Sequence, residues 1–304
     1  MPDFSIWAGQ LFIGLSSASI LLMMGLGLAI VFGLMGVINM AHGELMTAGA
    51  YTAFLVQTLF TSQLSDVWQP YAILAALPVA FLVAAVLGWL MEISVIRFLY
   101  GRPLETLLAT WGVSLIMQQG FRSLFGSNNV SVSTPDWLTG GVTLTPDLQL
   151  PTVRLFILGL VLVTLLGLFL VLYRSRTGLM IRAAIQNRGM SAACGVPTRR
   201  IDAITFALGS GLAGLAGCAL SLIGSVGPSS GQNYIVDAFM VVVVGGVGNL
   251  AGAIVGAFGI GELQAGLEYL SSATMGKVLI FGLIIIFLQL RPAGLFPSRS
   301  RALD

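Results

Sequence analysis

Long apolar blocks, broken by short polar stretches, run through almost the whole chain. Runs near 9–33, 43–60, 71–97, 104–125, 153–173, 201–224 and 277–290 approach the length at which a helix spans a bilayer, about 20 residues. The stretch 236–268 is equally apolar but rich in glycine, and is long enough for two short passes meeting near Asn249. In hydrocarbon, backbone N–H and C=O groups must be bonded within their own segment, so these blocks predict helices. The expected fold is an all-α polytopic membrane protein of about 8–10 transmembrane helices, in one domain over residues 1–304. No basic segment precedes the first run, which predicts a retained helix rather than a cleaved leader.

The polar interruptions orient the blocks. Arg97 and Arg102, the arginines from Arg174 to Arg200, and Arg291, Arg299 and Arg301 all fall on one side if crossings alternate and 236–268 crosses twice. The positive-inside rule assigns that side to the cytoplasm and predicts about nine passes with the N-terminus outside. The loop at about 126–152 then lies outside. It is rich in Ser, Thr, Asn and Pro, carries Asp136 and Asp147 but no basic residue, and has Trp137 as an interfacial anchor. It is either a docking surface for an external partner or an ordinary connector. The basic loop at about 174–200 has more pattern than a connector needs. Leu179 to Asn187 reads as a short amphipathic helix, and Gly195-Val196-Pro197 breaks the chain before a second start. A helix lying at the membrane surface is suited to transmitting force from a soluble motor.

Composition agrees with lipid as the main solvent. Apolar residues make up 57% of the chain and charged ones 9%, against about 25% charged in soluble domains. The arginine cluster is flanked by membrane-like runs, so nucleic-acid binding is a poor explanation of it. Cys194 and Cys218 offer neither a disulfide framework nor metal spacing and are expected to be free thiols with packing roles.

Glycine patterning predicts close helix packing. Gly209 to Gly214 fits G-x-G-x-x-G, but no strand precedes it and the apolar run continues through Gly217, so it reads as a packing surface. Gly248, Gly252 and Gly256 form a second such ridge. A weak internal repeat relates Gly36–Ala41 to Gly246–Ala251 at an offset of 210 residues, each with an Asn-x-Ala turn between apolar arms. Transporter folds are often built from such repeats, with interrupted helices near the substrate path.

Few polar residues are available for chemistry inside the blocks. Asn39, His42 and Gly43 share a face if the segment is helical, and Glu44 follows. These groups either line a path or brace a broken helix. Asn249 occupies the second copy of the repeat, and Glu262 lies deep enough beyond it to pair with a neighbouring helix. Glu92 and Arg97 look like interfacial charges. One His and one Glu are too few for a metal site. A chain of buried carboxylates suited to a proton-coupled pump is not evident. The only lysine, Lys277, precedes Val278, so no Walker A site exists and any ATP hydrolysis through one belongs to another polypeptide. Three classes remain: a permease subunit, a self-sufficient channel for a small neutral solute, and a membrane-embedded enzyme. The last needs a polar catalytic cluster beyond Asn39, His42 and Glu44.

Three stretches carry a resemblance that covers almost the whole chain. They are Phe32 to Glu44, Gly178 to Gly195 with the following Val196-Pro197, and Arg291-Pro292-Ala293-Gly294-Leu295-Phe296. Together they resemble the permeases of branched-chain amino acid and urea ATP-binding-cassette (ABC) importers. Arg102 to Gly112 looks most like the urea branch, in particular its first permease subunit. The resemblance implies a non-enzymatic subunit without cofactors in the bacterial inner membrane, with ATP bound by partners. Those partners are a second permease subunit, two cytoplasmic ATPase subunits and a periplasmic solute-binding protein. It places Arg182, Asn187 and Gly195 in the segment that couples to the ATPases; Asn39, His42 and Glu44, with Asn249 and Glu262 from the repeat and the arm that follows it, are the candidates for the translocation path. Urea is the expected substrate, with a branched-chain or neutral amino acid as the alternative.

Overall fold

The computed structural model describes residues 2–63, 67–145 and 148–296. Among the described residues eleven α-helices follow one another: α1 (Pro2–Met35), α2 (His42–Gln63), α3 (Ala72–Ser94), α4 (Pro103–Phe125), α5 (Thr152–Arg174), α6 (Arg176–Gln186), α7 (Arg188–Ala193), α8 (Thr198–Ser221), α9 (Ser230–Gly245), α10 (Leu250–Leu270) and α11 (Ala273–Leu290). Among the described residues, six stretches within or around α1, α3, α5, α8, α10 and α11 are long and apolar enough to cross a membrane. The polytopic helical fold expected from the blocks is what is found. An antiparallel hairpin of β1 (Gly141–Thr145) and β2 (Leu148–Pro151) is added in the loop between α4 and α5, with Gly141 opposite Pro151. The helical reading did not foresee it. Asp147, Arg299 and Arg301 lie outside the described residues.

Burial separates an inner from an outer layer. In the most apolar windows of α1 and α8, 83% and 78% of residues are buried, against 28% in α3 and α5 and 17% in α11. A helix apolar all round and buried all round belongs at the centre, so α1 and α8 form the core pair. The outer helices show large apolar side chains such as Leu82, Val86, Leu162, Val163, Ile285 and Ile286 to the surroundings. In a membrane that surface faces lipid.

Small residues let the inner helices touch backbone to backbone, as the glycine patterning predicts. Gly49 of α2 lies against Gly214 of α8, and Gly217 lies against the Met46 carbonyl. Gly209 meets the Gly27 carbonyl of α1, and Gly252 meets Gly245. Cys218 is buried in this packing, whereas Cys194 is exposed and has no packing role, contrary to expectation.

Both ends of the bundle are tied. At one end Val130 pairs with Val226, Gln57 Nε2 donates to the Ser133 carbonyl at 2.8 Å, and Trp137 Nε1 donates to the Pro70 carbonyl at 2.7 Å. Trp137 thus fastens the α4–α5 loop to the α3 entrance. The opposite end gathers the α1–α2 break, the α3–α4 corner, α6, α7, the α9–α10 break and the C-terminal ending. Most of the described arginines sit there.

Candidate functional site

The repeat becomes two matching helix breaks. α1 ends at Met35 and Gly36 takes φ +63°; α9 ends at Gly245 and Gly246 takes φ +103°. Such left-handed geometry stops a helix at little steric cost only with glycine. Asn39 Oδ1 then accepts from the Ala41 N–H at 3.0 Å, and Asn249 Oδ1 accepts from the Gly252 N–H at 3.0 Å. Each asparagine braces the restart of its following helix, with Asn249 as the N-cap of α10. The breaks are in contact, because Gly33 packs onto the Gly248 backbone.

Each break is clasped from outside. Thr110 of α4 accepts from the Met40 N–H at 3.1 Å and donates to the Ile38 carbonyl at 3.2 Å. The second break is held by the C-terminal ending, where the Leu295 N–H donates to the Val244 carbonyl at 2.8 Å and the Phe296 N–H to the Gly245 carbonyl at 3.2 Å. The Arg-Pro-Ala-Gly-Leu-Phe ending is therefore part of the break.

Asn39 lies in the turn and not in a helix, so the shared face expected for Asn39, His42 and Gly43 does not exist. His42 and Glu44 also turn to different neighbours. His42 Nε2 is 3.1 Å from the Met24 carbonyl on α1. Glu44 Oε1 accepts from Gln118 Nε2 at 2.9 Å and from Ser114 Oγ at 3.3 Å, both on α4. Glu44 Oε2, His42 Nδ1 and Asn39 Nδ2 have no hydrogen-bond partner among the described residues. Glu262 lies apart from all three, against Gly14 of α1.

The α4 side of this seam was missed from sequence. Thr106, Thr110, Ser114 and Gln118 recur every fourth residue and are all buried, while Leu104, Leu108 and Trp111 on the same helix are exposed. Polar residues at helical spacing inside an apolar block were the available signal. Glu44→Leu would leave Gln118 Nε2 only its longer bond to Ser114 Oγ at 3.3 Å, at a cost of up to about 1–3 kcal/mol for a poorly satisfied buried group. A Glu44→Leu/Gln118→Leu pair is expected to recover part of that loss in detergent unfolding, whereas strictly additive losses would show that the two residues do not interact.

At the same end, the basic loop folds into the short helix read from its pattern, here α6, followed by α7. Ser175 accepts from the Gly178 N–H at 2.9 Å to start α6, and Asn187 accepts from the Met190 N–H at 2.9 Å to start α7. Gly195 takes φ +85° and lets the chain turn into α8. Arg182 stacks over Tyr173, 4.9 Å from the ring centroid. Beside it sits a charged cluster that sequence reasoning did not find. Glu92 is fully buried within the protein, near the end of α3. It accepts from Arg97 Nη2 and from the Tyr100 hydroxyl, each at 3.1 Å. Arg188 lies over the Tyr100 ring at 4.6 Å and pairs with Asp202 of α8. Burial first, then the Asp202 and Glu92 carboxylates, push the Tyr100 hydroxyl up, so it remains a donor. The cluster joins the α3–α4 corner, α7 and α8 into one electrostatic unit.

Repeated helix breaks, a glycine-packed inner pair and a surface segment wired into membrane helices define a polytopic permease. The chain belongs to the family described as branched-chain amino acid transport system / permease component, which matches residues 10–288. It is 29% identical over 299 residues to the high-affinity branched-chain amino acid transport system permease protein BraD of Pseudomonas aeruginosa, covering 97% of each chain. It is 27% identical to LivH of Escherichia coli over 299 residues, 96% of each chain, and 28% identical to LivM of the same organism, covering 91% of this chain and 68% of LivM. The comparison with solved structures returns no match.

Proposed function

We propose that this chain is the membrane-spanning permease subunit of an ABC importer for branched-chain amino acids, in the bacterial inner membrane. The observation that carries the reading is the end-to-end similarity to BraD and LivH, both high-affinity branched-chain amino acid permease proteins. The similarity to LivM, another permease of such a system, supports a second, related permease as partner. Two cytoplasmic ATPases and a periplasmic solute-binding protein complete the assembly. Arg182, Asn187 and Gly195 shape the segment on which an ATPase docks, and Arg188 ties it to the membrane helices. Asn39 and Asn249 hold the two breaks, and His42 and Glu44 set the helices around the path.

Urea import is the second reading. The likeness of Arg102 to Gly112 to the urea branch favours it, and the amino acid relatives weigh against it. A path for urea needs amide-like partners; the Oδ1 atoms of Asn39 and Asn249 are engaged by backbone N–H groups and Asn249 Nδ2 by the Phe296 carbonyl, which leaves Asn39 Nδ2 as the unpartnered amide group. Deleting the gene is expected to abolish high-affinity uptake of radiolabelled leucine at micromolar concentration and to leave urea uptake unchanged. The reverse pattern would replace the amino acid reading with the urea one.

A further inference from the structure

A mixed-charge cavity of about 280 Å³ opens near the outer end of the bundle, away from both breaks. Its charged lining comes from Arg154 near the start of α5, Asp237 of α9, Glu268 near the end of α10 and Lys277 near the start of α11. Two of these charges satisfy each other: Lys277 Nζ is 3.7 Å from Asp237 Oδ2, and Asp237 is buried. The other two do not. Arg154 Nη1 reaches only the Ile13 carbonyl at 3.4 Å, and Glu268 Oε1 accepts from the neutral Gln264 amide at 2.9 Å. Neither Arg154 nor Glu268 has an ion-pair partner among the described residues. The remaining lining is an aliphatic patch of Ile20, Leu21, Leu220 and Ile223 together with the polar side chains of Ser17, Tyr234 and Gln264.

Charges at membrane depth are costly and mark solute pathways when they face a cavity. A guanidinium matches a carboxylate in a planar, bidentate fork, and a carboxylate accepts from an ammonium. One open cation, one open anion and an aliphatic patch together suit a zwitterion with a branched hydrocarbon side chain. Urea carries neither charge and would leave both groups uncompensated. We propose that this cavity is an outward-facing site for an aliphatic α-amino acid, whose carboxylate pairs with Arg154, whose ammonium pairs with Glu268, and whose side chain packs on Ile20, Leu21, Leu220 and Ile223. The Asp237–Lys277 pair fixes α9 against α11 and keeps those two charges from competing for the ligand. The proposal rests on the amino acid reading above and adds where the substrate is held.

The test uses the full chain in membranes, with Cys194→Ser to remove the exposed thiol and Ser17→Cys as reporter. Ser17 is exposed and lines the cavity, while Cys218 is buried. L-leucine is expected to slow maleimide labelling of the reporter about tenfold once its concentration reaches ten times its Kd. Leucinamide, which lacks the carboxylate, and 4-methylpentanoate, which lacks the ammonium, are expected not to protect. Arg154→Gln should abolish protection and Arg154→Lys should restore part of it. Glu268→Gln provides the same loss through the other charge if the arginine variants do not accumulate. Labelling unaffected by leucine, in cells that still import leucine through this chain, would overturn the cavity site and leave the import reading standing. Protection by urea, with urea uptake in place of leucine uptake, would overturn both.

Discussion

Gly217→Leu is expected to prevent accumulation of the folded chain, the largest effect of any single substitution considered. α2 and α8 cross with Gly217 against the Met46 carbonyl and Gly49 against Gly214, so an added Cβ meets backbone atoms on both sides of the crossing. Backbone cannot swing away as the end of a side chain can. Between membrane helices no hydrophobic gain offsets the resulting separation, because lipid tails are as apolar as the partner helix. Overpacking by one or two methylenes costs about 1–3 kcal/mol in well-packed cores, and a leucine here forces α2 away from the core helix α8. Gly217→Ala is expected to lower the unfolding temperature in detergent by less. Gly112→Leu is the control, because a Cβ at Gly112 meets nothing within 4 Å. Equal stability of Gly217→Leu and Gly112→Leu would refute the backbone-contact account of this crossing.

The same contrast explains what could be read from the sequence. Local, periodic features were readable. The helices fall where the apolar blocks lie, and the break near Asn249 and the restart at Thr198 follow from glycine and proline chemistry. The Gly36 and Gly246 turns agree because a left-handed residue followed by an asparagine brace is a short-range instruction. Features that depend on how distant helices meet were not readable. Glu92 looks interfacial in the chain, and only the fold brings Tyr100 onto it and Arg188 over that ring. Arg154, Asp237, Glu268 and Lys277 come from four helices and have no common motif. The α4 stripe is an intermediate case: its spacing was visible, but its direction depended on where α2 packs. The Asn39, His42 and Gly43 face failed for a local reason, since the Gly36 turn delays the helix until His42.

Arg188→Ala is expected to separate ATP hydrolysis from uptake in the assembled importer. Arg188 is 44% exposed at its side chain and its partner Asp202 9%. An exposed pair contributes up to about 1 kcal/mol, and breaking a fully buried one costs about 3–5 kcal/mol. Half-exposure of the arginine places this loss between those limits, at about 1–3 kcal/mol. Much of the loss comes from the Asp202 carboxylate left near Glu92 without its counterion. Arg188→Ala/Asp202→Ala is therefore expected to be more stable than Arg188→Ala alone, which detergent unfolding would measure. Both variants cut the link between α7 and the α3–α4 corner. If that link transmits the ATPase stroke, leucine uptake falls about tenfold in both, within the range of about 1–3 kcal/mol typical of coupling free energies, while hydrolysis continues. Uptake that returns with stability in the double variant would make the cluster a structural tie only. Uptake that stays low in a stable double variant identifies Arg188 and Asp202 as the positioning residues through which the surface segment moves the membrane helices.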